Sequence, residues 1–246
     1  MQNKHLSSQF DGDLSQACAQ LLEMGGLVEM QIRRAVAILA QASLSLAEEI
    51  FTTEIRVDAL EVAIDHTLSS VIARRQPAAR DLRLLLAISK ITTNLERAGD
   101  EAKKIARKIK FIVGNDNHAA RTMPIGDLRL ASNLAADLIH RALDAFARLD
   151  MQAAIAILKE DDLIDREFQG FVHKLVAYMM EDPRVIGAGL DLLFIAKAVE
   201  RIGDHAKNIA EYVIYIIWGA DVRHRPLAEI EAALQGNPAN PPENLS

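Results

Sequence analysis

Cysteine occurs once in the 246 residues, as Cys18. That excludes an internal disulfide framework and fits a reducing compartment. Aromatic residues make up only 4% of the chain against 50% hydrophobic residues overall. The core is therefore expected to be aliphatic. There is no excess of positive charge: the formal net charge is −6, and no basic patch stands out to release counterions from nucleic acid. No long hydrophobic run occurs either. The charge-free apolar stretch Tyr212 to Ala220 is far short of a membrane span. Met1 to Asp11 has no apolar segment of the kind a secretory signal requires. The expectation is a globular cytoplasmic protein, with a quarter of its residues charged.

Apolar residues recur at helical spacing almost throughout, and no alternating strand pattern with turn signals is found. From Phe10, residues such as Leu14, Leu21, Met24, Val28, Ile32 and Leu39 define a first helix reaching about Ala42. Gly25-Gly26 marks a kink or a close-packing point inside it. Ser43 is placed to cap a second helix from Leu44 to about Arg74. Pro77 suits the first turn of a third, which ends near Gly114. A fourth helix runs from Asp127 to Leu149, Asp150 caps a fifth reaching Met180, and Asp182-Pro183 opens a sixth ending near Trp218-Gly219. Residues 1–9 read as a disordered N-terminus, 115–126 as a linker and 220–246 as a proline-punctuated, partly disordered tail.

The two halves repeat each other. An offset of 107 maps Arg34-Ala35-Val36 onto Arg141-Ala142-Leu143 and Ser43 onto Asp150. After a three-residue deletion, an offset of 104 maps Glu96–Ala106 onto Glu200–Ala210. The sequence therefore predicts an all-α fold: two antiparallel three-helix bundles in tandem, residues 10–114 and 127–219, with six long helices. Within the repeat, Leu95-Glu96-Arg97-Ala98-Gly99-Asp100 returns as Val199-Glu200-Arg201-Ile202-Gly203-Asp204. A mid-helix glycine costs about 1 kcal/mol against alanine. Gly99 and Gly203 thus predict another helix passing close by.

Each half carries two carboxylate pairs at i,i+4 spacing, which places both acids on one helix face. They are Glu54/Asp58 and Glu96/Asp100 in the first half, and Asp161/Asp165 and Glu200/Asp204 in the second. Repeat 1 continues the stripe to Glu61 and Asp65, where repeat 2 has Phe168 and Val172. Carboxylate oxygens gathered from two adjacent helices suit Mg, Mn or Fe. Spacing alone also allows a solvated acidic face with local pairs such as Asp100–Lys103 and Asp204–Lys207, so both readings stand. A catalytic dinuclear centre wants Glu-x-x-His on two helices; Asp137-Leu138-Ile139-His140 is the nearest approach and is not repeated. No phosphate loop, nucleophile elbow or dinucleotide fingerprint occurs, so no catalytic residues are assigned. His205 reads as an exposed histidine on a charged face, Arg97 and Arg201 as ion-pair partners of nearby acids rather than phosphate ligands, and Cys18 as core packing.

The doubled Leu/Val-Glu-Arg-x-Gly-Asp-x-Ala-x-x-Ile resembles the signature of the PhoU family of bacterial phosphate-signalling regulators. Gln76-Pro77-Ala78-Ala79-Arg80-Asp81-Leu82-Arg83, Ala142-Leu143-Asp144-Ala145-Phe146 and Tyr178-Met179-Met180-Glu181-Asp182 resemble it too, in collinear order over roughly residues 5–225. The resemblance implies tandem three-helix bundles. It also implies metal motifs at Glu54, Asp58, Glu96, Asp100, Asp161, Asp165, Glu200 and Asp204, holding a divalent metal or iron. It implies a homodimeric, cytoplasmic adaptor, membrane-associated only through partners. Such an adaptor represses the phosphate-starvation (Pho) regulon by coupling the ATPase of the Pst phosphate transporter to the sensor kinase PhoR. The rival readings are a metal store and a metal-dependent enzyme on the same bundles.

Overall fold

A computed structural model describes residues 2–41, 43–114, 125–223 and 225–236; the side chains of residues 2–8, 40, 113–114, 161–162 and 233–236 lie outside the described set. Seven helices follow one another: α1 (Gln2–Gln41), α2 (Leu44–Arg75), α3 (Ala79–Gly114), α4 (Gly126–Arg148), α5 (Met151–Glu181), α6 (Ile186–Trp218) and α7 (Leu227–Gly236). A 3₁₀ turn, Pro183–Val185, leads into α6. Among the described residues there is no strand. Helices α1, α2 and α3 pack on one another, as do α4, α5 and α6. The expected tandem of three-helix bundles is what forms. The halves are joined along two seams, α3 against α6 and α1 against α4.

Local chemistry sets most boundaries where the sequence put them. The Asp150 carboxylate accepts from the Ala153 amide at 3.0 Å and starts α5, satisfying one of the donors a helix N-terminus leaves open. Asp182 does the same for the Arg184 amide ahead of α6. Gly219, at φ +88°, closes α6 in the left-handed region that glycine enters freely. Ser43 occupies the N-cap of α2, but its hydroxyl makes no capping bond; it meets Ser45 Oγ at 2.9 Å instead.

Three boundaries differ. Helix α1 begins at Gln2 rather than Phe10, because residues 2–9 contain neither glycine nor proline to stop it. Pro77 lies in the connection before α3 rather than in its first turn. Proline disfavours helical backbone in the residue before it, and Gln76 turns to φ 49°, capping α2 through its amide to Ile72 O. The tail contains α7, whose Ile230 is buried and whose Glu231 pairs with Lys159 of α5. Of the expected linker, residues 115–124 lie outside the described residues, as do tail residues 237–246.

The core is aliphatic, as the shortage of aromatics requires. Ile88, Ile91, Leu95, Ala102 and Ile105 form the buried stripe of α3, following the 3.6-residue period. Cys18 is only partly buried and packs against this core; burial raises its thiol pKa. The glycines mark close approaches. A methyl group on Gly25 would lie 2.4 Å from Leu143 Cδ2, so that glycine lets α1 meet α4 across the halves, whereas Gly26 faces open space. On Gly203 a methyl would sit 2.8 Å from Ile164 Cδ1 of α5.

Replacing Gly203 with Leu is expected to overpack the α5–α6 contact and cost about 1–3 kcal/mol. Urea denaturation of the purified variant beside wild type measures the difference. An unchanged midpoint would show that α5 yields without cost.

Candidate functional site

The carboxylates of the first half do gather where α2 lies along α3. Glu54 is buried, 4% exposed, and two bonds hold it. Lys103 Nζ donates to its Oε1 at 2.9 Å, and Gln31 Nε2 of α1 donates to its Oε2 at 2.7 Å. The same ammonium reaches Asp100 Oδ1 at 3.0 Å. The expected Asp100–Lys103 pair is therefore present, but Lys103 also spans two helices, which i,i+3 arithmetic could not reveal. Gln31 Nε2 is shared with Ile50 O at 3.3 Å. Gly99 gives this arrangement room: a methyl there would stand 3.0 Å from Gln31 Oε1 and 3.5 Å from Glu54 Oε2.

Electrostatics confirm the crowding. Burial raises the Glu96 pKa, and Asp100, Glu61, Glu54 and Asp58 push it the same way. Glu61 is raised by burial and then by Asp65 and Asp58. For Asp100, burial acts upward, but the Lys103 hydrogen bond and charge prevail and its pKa falls. Lys103 loses some proton affinity to burial and gains more from Glu54 and Asp100, so its pKa rises. One ammonium thus neutralises the buried end of an acidic field shared by two helices.

The second half solves the same positions differently. Lys197 Nζ bonds Glu200 Oε1 and lies 5.4 Å from the Phe168 ring centroid. The other oxygen, Glu200 Oε2, is buried without a hydrogen-bond partner. Asp165, Asp204 and Lys207 each have an interaction of their own, and the Asp161 side chain lies outside the described set. Among the described residues, no three Asp, Glu, His or Cys side chains converge closely enough to hold a metal ion. Donor chemistry nonetheless fits a hard cation at both places: an unmet oxygen on Glu200, and a site between Glu54 and Asp100 where an ammonium already stands.

Between α3 and α6 lies a third polar group that the sequence reading misplaced. His205 is half-buried rather than exposed: its Nδ1 donates to Asn94 Oδ1 at 3.0 Å, which also accepts from Asn208 at 3.1 Å. Burial lowers its pKa, and Arg97, Arg201 and Lys104 add to this against the opposing Glu101, leaving it at about 4. Buried Glu101 accepts from Lys104 at 2.8 Å and from Arg201 at 3.3 Å. Arg201 is thus the ion-pair partner expected of it, and Arg97 lines the same cleft beside Asp100. His140 Nδ1 meets Glu29 Oε2 at 3.0 Å, joining α4 to α1 rather than serving a Glu-x-x-His motif.

Two outcomes follow from these contacts. Lys103→Met should cost about 3 kcal/mol by stranding a buried carboxylate, and adding Glu54→Met should recover much of that loss; chemical denaturation of the single and double variants reads both. For His205 the folded pKa lies below the unfolded one, so the unfolded state binds more protons as pH falls from about 6.5 towards 4. Stability drops across that window, on the order of 1–2 kcal/mol after solvent screening. His205→Gln should flatten this part of the stability–pH curve, and an unaltered slope would contradict the assignment.

Comparison with known proteins agrees with this geometry. The family model described as the PhoU domain matches twice, over residues 21–109 and 128–213. The chain is 50% identical over 226 residues to a phosphate-specific transport system accessory protein PhoU homolog of Burkholderia sp., covering 91% of this chain and 95% of that one. It is 39% identical over 236 residues to the phosphate-specific transport system accessory protein PhoU of Escherichia coli K12, covering 95% of each. The crystal structure of PhoU from Pseudomonas aeruginosa superposes with a TM-score of 0.81 at 40% identity, over 85% of this chain and 98% of that one. The phosphate transport system regulatory protein PhoU from Streptococcus pneumoniae gives 0.78 at 26% identity, over 87% and 99%. With both bundles matched and their order preserved, this chain belongs to the PhoU family.

Proposed function

We propose that this chain is an accessory regulator of phosphate transport, a non-enzymatic cytoplasmic adaptor. In this reading it couples the ATPase subunit of the Pst phosphate transporter to the sensor kinase PhoR and represses phosphate-starvation genes when phosphate is plentiful. The observation that carries it is the 50% identity, over nearly the full length of both chains, to a protein named for accessory work in phosphate-specific transport. Two features of the molecule support an adaptor. No helix among the described residues is long and apolar enough to cross a membrane. The long helices also present extended charged surfaces along the α2–α3–α6 face.

In the same reading the chain is a homodimer, and a divalent metal or iron is held by Glu54, Asp58, Glu96 and Asp100 in one half and Asp161, Asp165, Glu200 and Asp204 in the other. The cation would supply positive charge to crowded carboxylates, as Lys103 does for Glu54. A metal store or metal-dependent enzyme is the competing class. Loss of such an activity would follow the carboxylates alone, whereas an adaptor also depends on surfaces that meet partners.

Deleting the gene should leave phosphate-starvation genes expressed in phosphate-rich medium, and the wild-type gene should restore repression. A reporter fused to a starvation promoter measures both. The Asp100→Ala/Asp204→Ala variant should bind less metal by elemental analysis while keeping its helical circular-dichroism signal. Normal repression in the deletion strain would overturn the regulatory reading, and unchanged metal content would make these carboxylates plain surface.

A further inference from the structure

Between α3 and α6 lies a groove of about 530 Å³, within the size range of small-molecule sites. Lys104, Arg107, Lys108 and Phe111 form its α3 wall, and Phe194, Lys197, Ala198 and Arg201 its α6 wall. On both helices the spacing is i, i+3, i+4, i+7, which keeps each set on one face. The Lys108–Asp191 and Glu101–Arg201 pairs run α3 antiparallel to α6. Lys104 is then level with Lys197, and Arg107 with the turn carrying Phe194. From Glu101 to Phe111 the groove extends about 15 Å along α3, at the helical rise per residue.

Its two ends differ in chemistry. At one end, Lys104 and Arg201 donate to the same oxygen of buried Glu101, at 2.8 and 3.3 Å. Two cations drawn to a single oxygen are only partly neutralised, and each keeps N–H donors to spare. Lys197 stands level with them, paired with Glu200. Arg107 has no hydrogen bond or ion pair among the described residues. The lining thus holds five cations against the one acid Glu101, and the excess stays positive when Asp191 and Glu200 are counted. At the other end two phenyl rings stand in water, Phe111 57% and Phe194 60% exposed. Lys108 Nζ lies over the Phe194 ring, 4.8 Å from its centroid, and steadies it while the residue stays mostly in water.

We propose that this groove is a nucleotide site, with the phosphates among Lys104, Arg107, Lys197 and Arg201 and the base against Phe194 and Phe111. Inorganic phosphate would use the basic end alone and leave both rings in water. An acyl chain would lie along walls that are charged for most of their length. A nucleotide joins anionic oxygens to a flat aromatic ring in one small molecule, and so matches both ends. Stacking on phenyl rings does not select among bases, since every base has a π-face. Glu101 is already tied to two cations, so the groove holds no free carboxylate to act as a base, and its task is binding alone. The ligand touches α3 of the first half and α6 of the second, so it tightens the seam between the bundles. Neither the regulatory reading nor the carboxylate pairs are needed for this site.

Isothermal titration calorimetry of the full-length protein with ADP, GDP and UDP tests it, in EDTA so that no cation bridges phosphate to the acidic pairs. All three should bind and should raise Tm as their concentration rises. Pyrophosphate and adenosine each keep only part of the ligand and should bind at least about tenfold more weakly. Phe194→Ala and Arg107→Ala change exposed positions and should keep the helical circular-dichroism signal. Each should weaken ADP roughly tenfold, one by loss of a stacking face and the other by loss of a charge-assisted bond. If either loses helicity, Phe194→Leu or Arg107→Gln takes its place with the same expectation. Neither heat nor a Tm rise from any of the three nucleotides at millimolar concentration would overturn the site. So would pyrophosphate binding as tightly as ADP, or variants with an unaltered Kd. Phosphatidylglycerol vesicles are the competing occupant. Flotation with them that is lost in Phe194→Ala and undiminished by saturating ADP would overturn the nucleotide in favour of a membrane surface.

Discussion

A carboxylate that is 4% exposed must be neutralised where it stands, and much of the first bundle is arranged around that requirement at Glu54. Isolated burial of its charge would cost several kcal/mol. Lys103 supplies the positive charge from α3 and Gln31 a donor from α1, so a single group fixes the relative positions of three helices. The mid-helix glycine follows from the same demand. A methyl group at 99 would press on Gln31 Oε1 at 3.0 Å, the amide that donates to Glu54, so the helix-propensity penalty at Gly99 is offset by the bond its absence of a side chain permits. Asp100 belongs to the arrangement too, since without it Lys103 would have one partner fewer to hold it between the helices.

What the sequence made legible follows from how each feature is encoded. Six long helices, their tandem repeat and most of their caps are local properties, carried by period, by glycine and proline, and by acids placed before a helix start. Asp150, Asp182 and Gly219 each act where expected. The carboxylate pairs on α2 and α3 were legible for the same reason. Lys103 was only half legible: its i,i+3 partner lies in its own helix, whereas its bond to Glu54 spans 49 residues. His205 was misread because the acceptor that buries it, Asn94, comes from the other half of the chain. The seam contact of Gly25 with Leu143 was likewise hidden, since a glycine pair in one helix names no partner in another.

The α3–α6 seam shows how two repeats become one molecule. Paired helices from the two halves bring Asn94 to His205 and Asn208, Glu101 to Arg201, and Lys108 to Asp191 at 2.8 Å. None of these pairs joins repeat-equivalent residues, because the helices run antiparallel and the repeat offset of 104 relates positions on opposite sides of the seam. A tandem duplication supplies the two helices. Contacts between non-equivalent positions, such as Glu101 facing Arg201, supply the specificity with which they dock. Polar contacts of this kind fix register more than they add stability.

Duplication has preserved the placement of the acids but not what each must satisfy. In the first half the buried oxygens of Glu54 are both bonded, so a cation arriving there has to displace an ammonium whose own proton is held more tightly by the same acids. In the second half Glu200 keeps one buried oxygen without a partner, and Phe168 stands where the first half has Glu61. A cation there would meet a weaker acidic field but an oxygen lone pair that no donor occupies. The two places would therefore differ in what opposes a cation: displacement of Lys103 in one, and a smaller total negative charge in the other. Equivalent sequence motifs on equivalent helices do not make equivalent sites, because the balance at each is set by residues outside the motif.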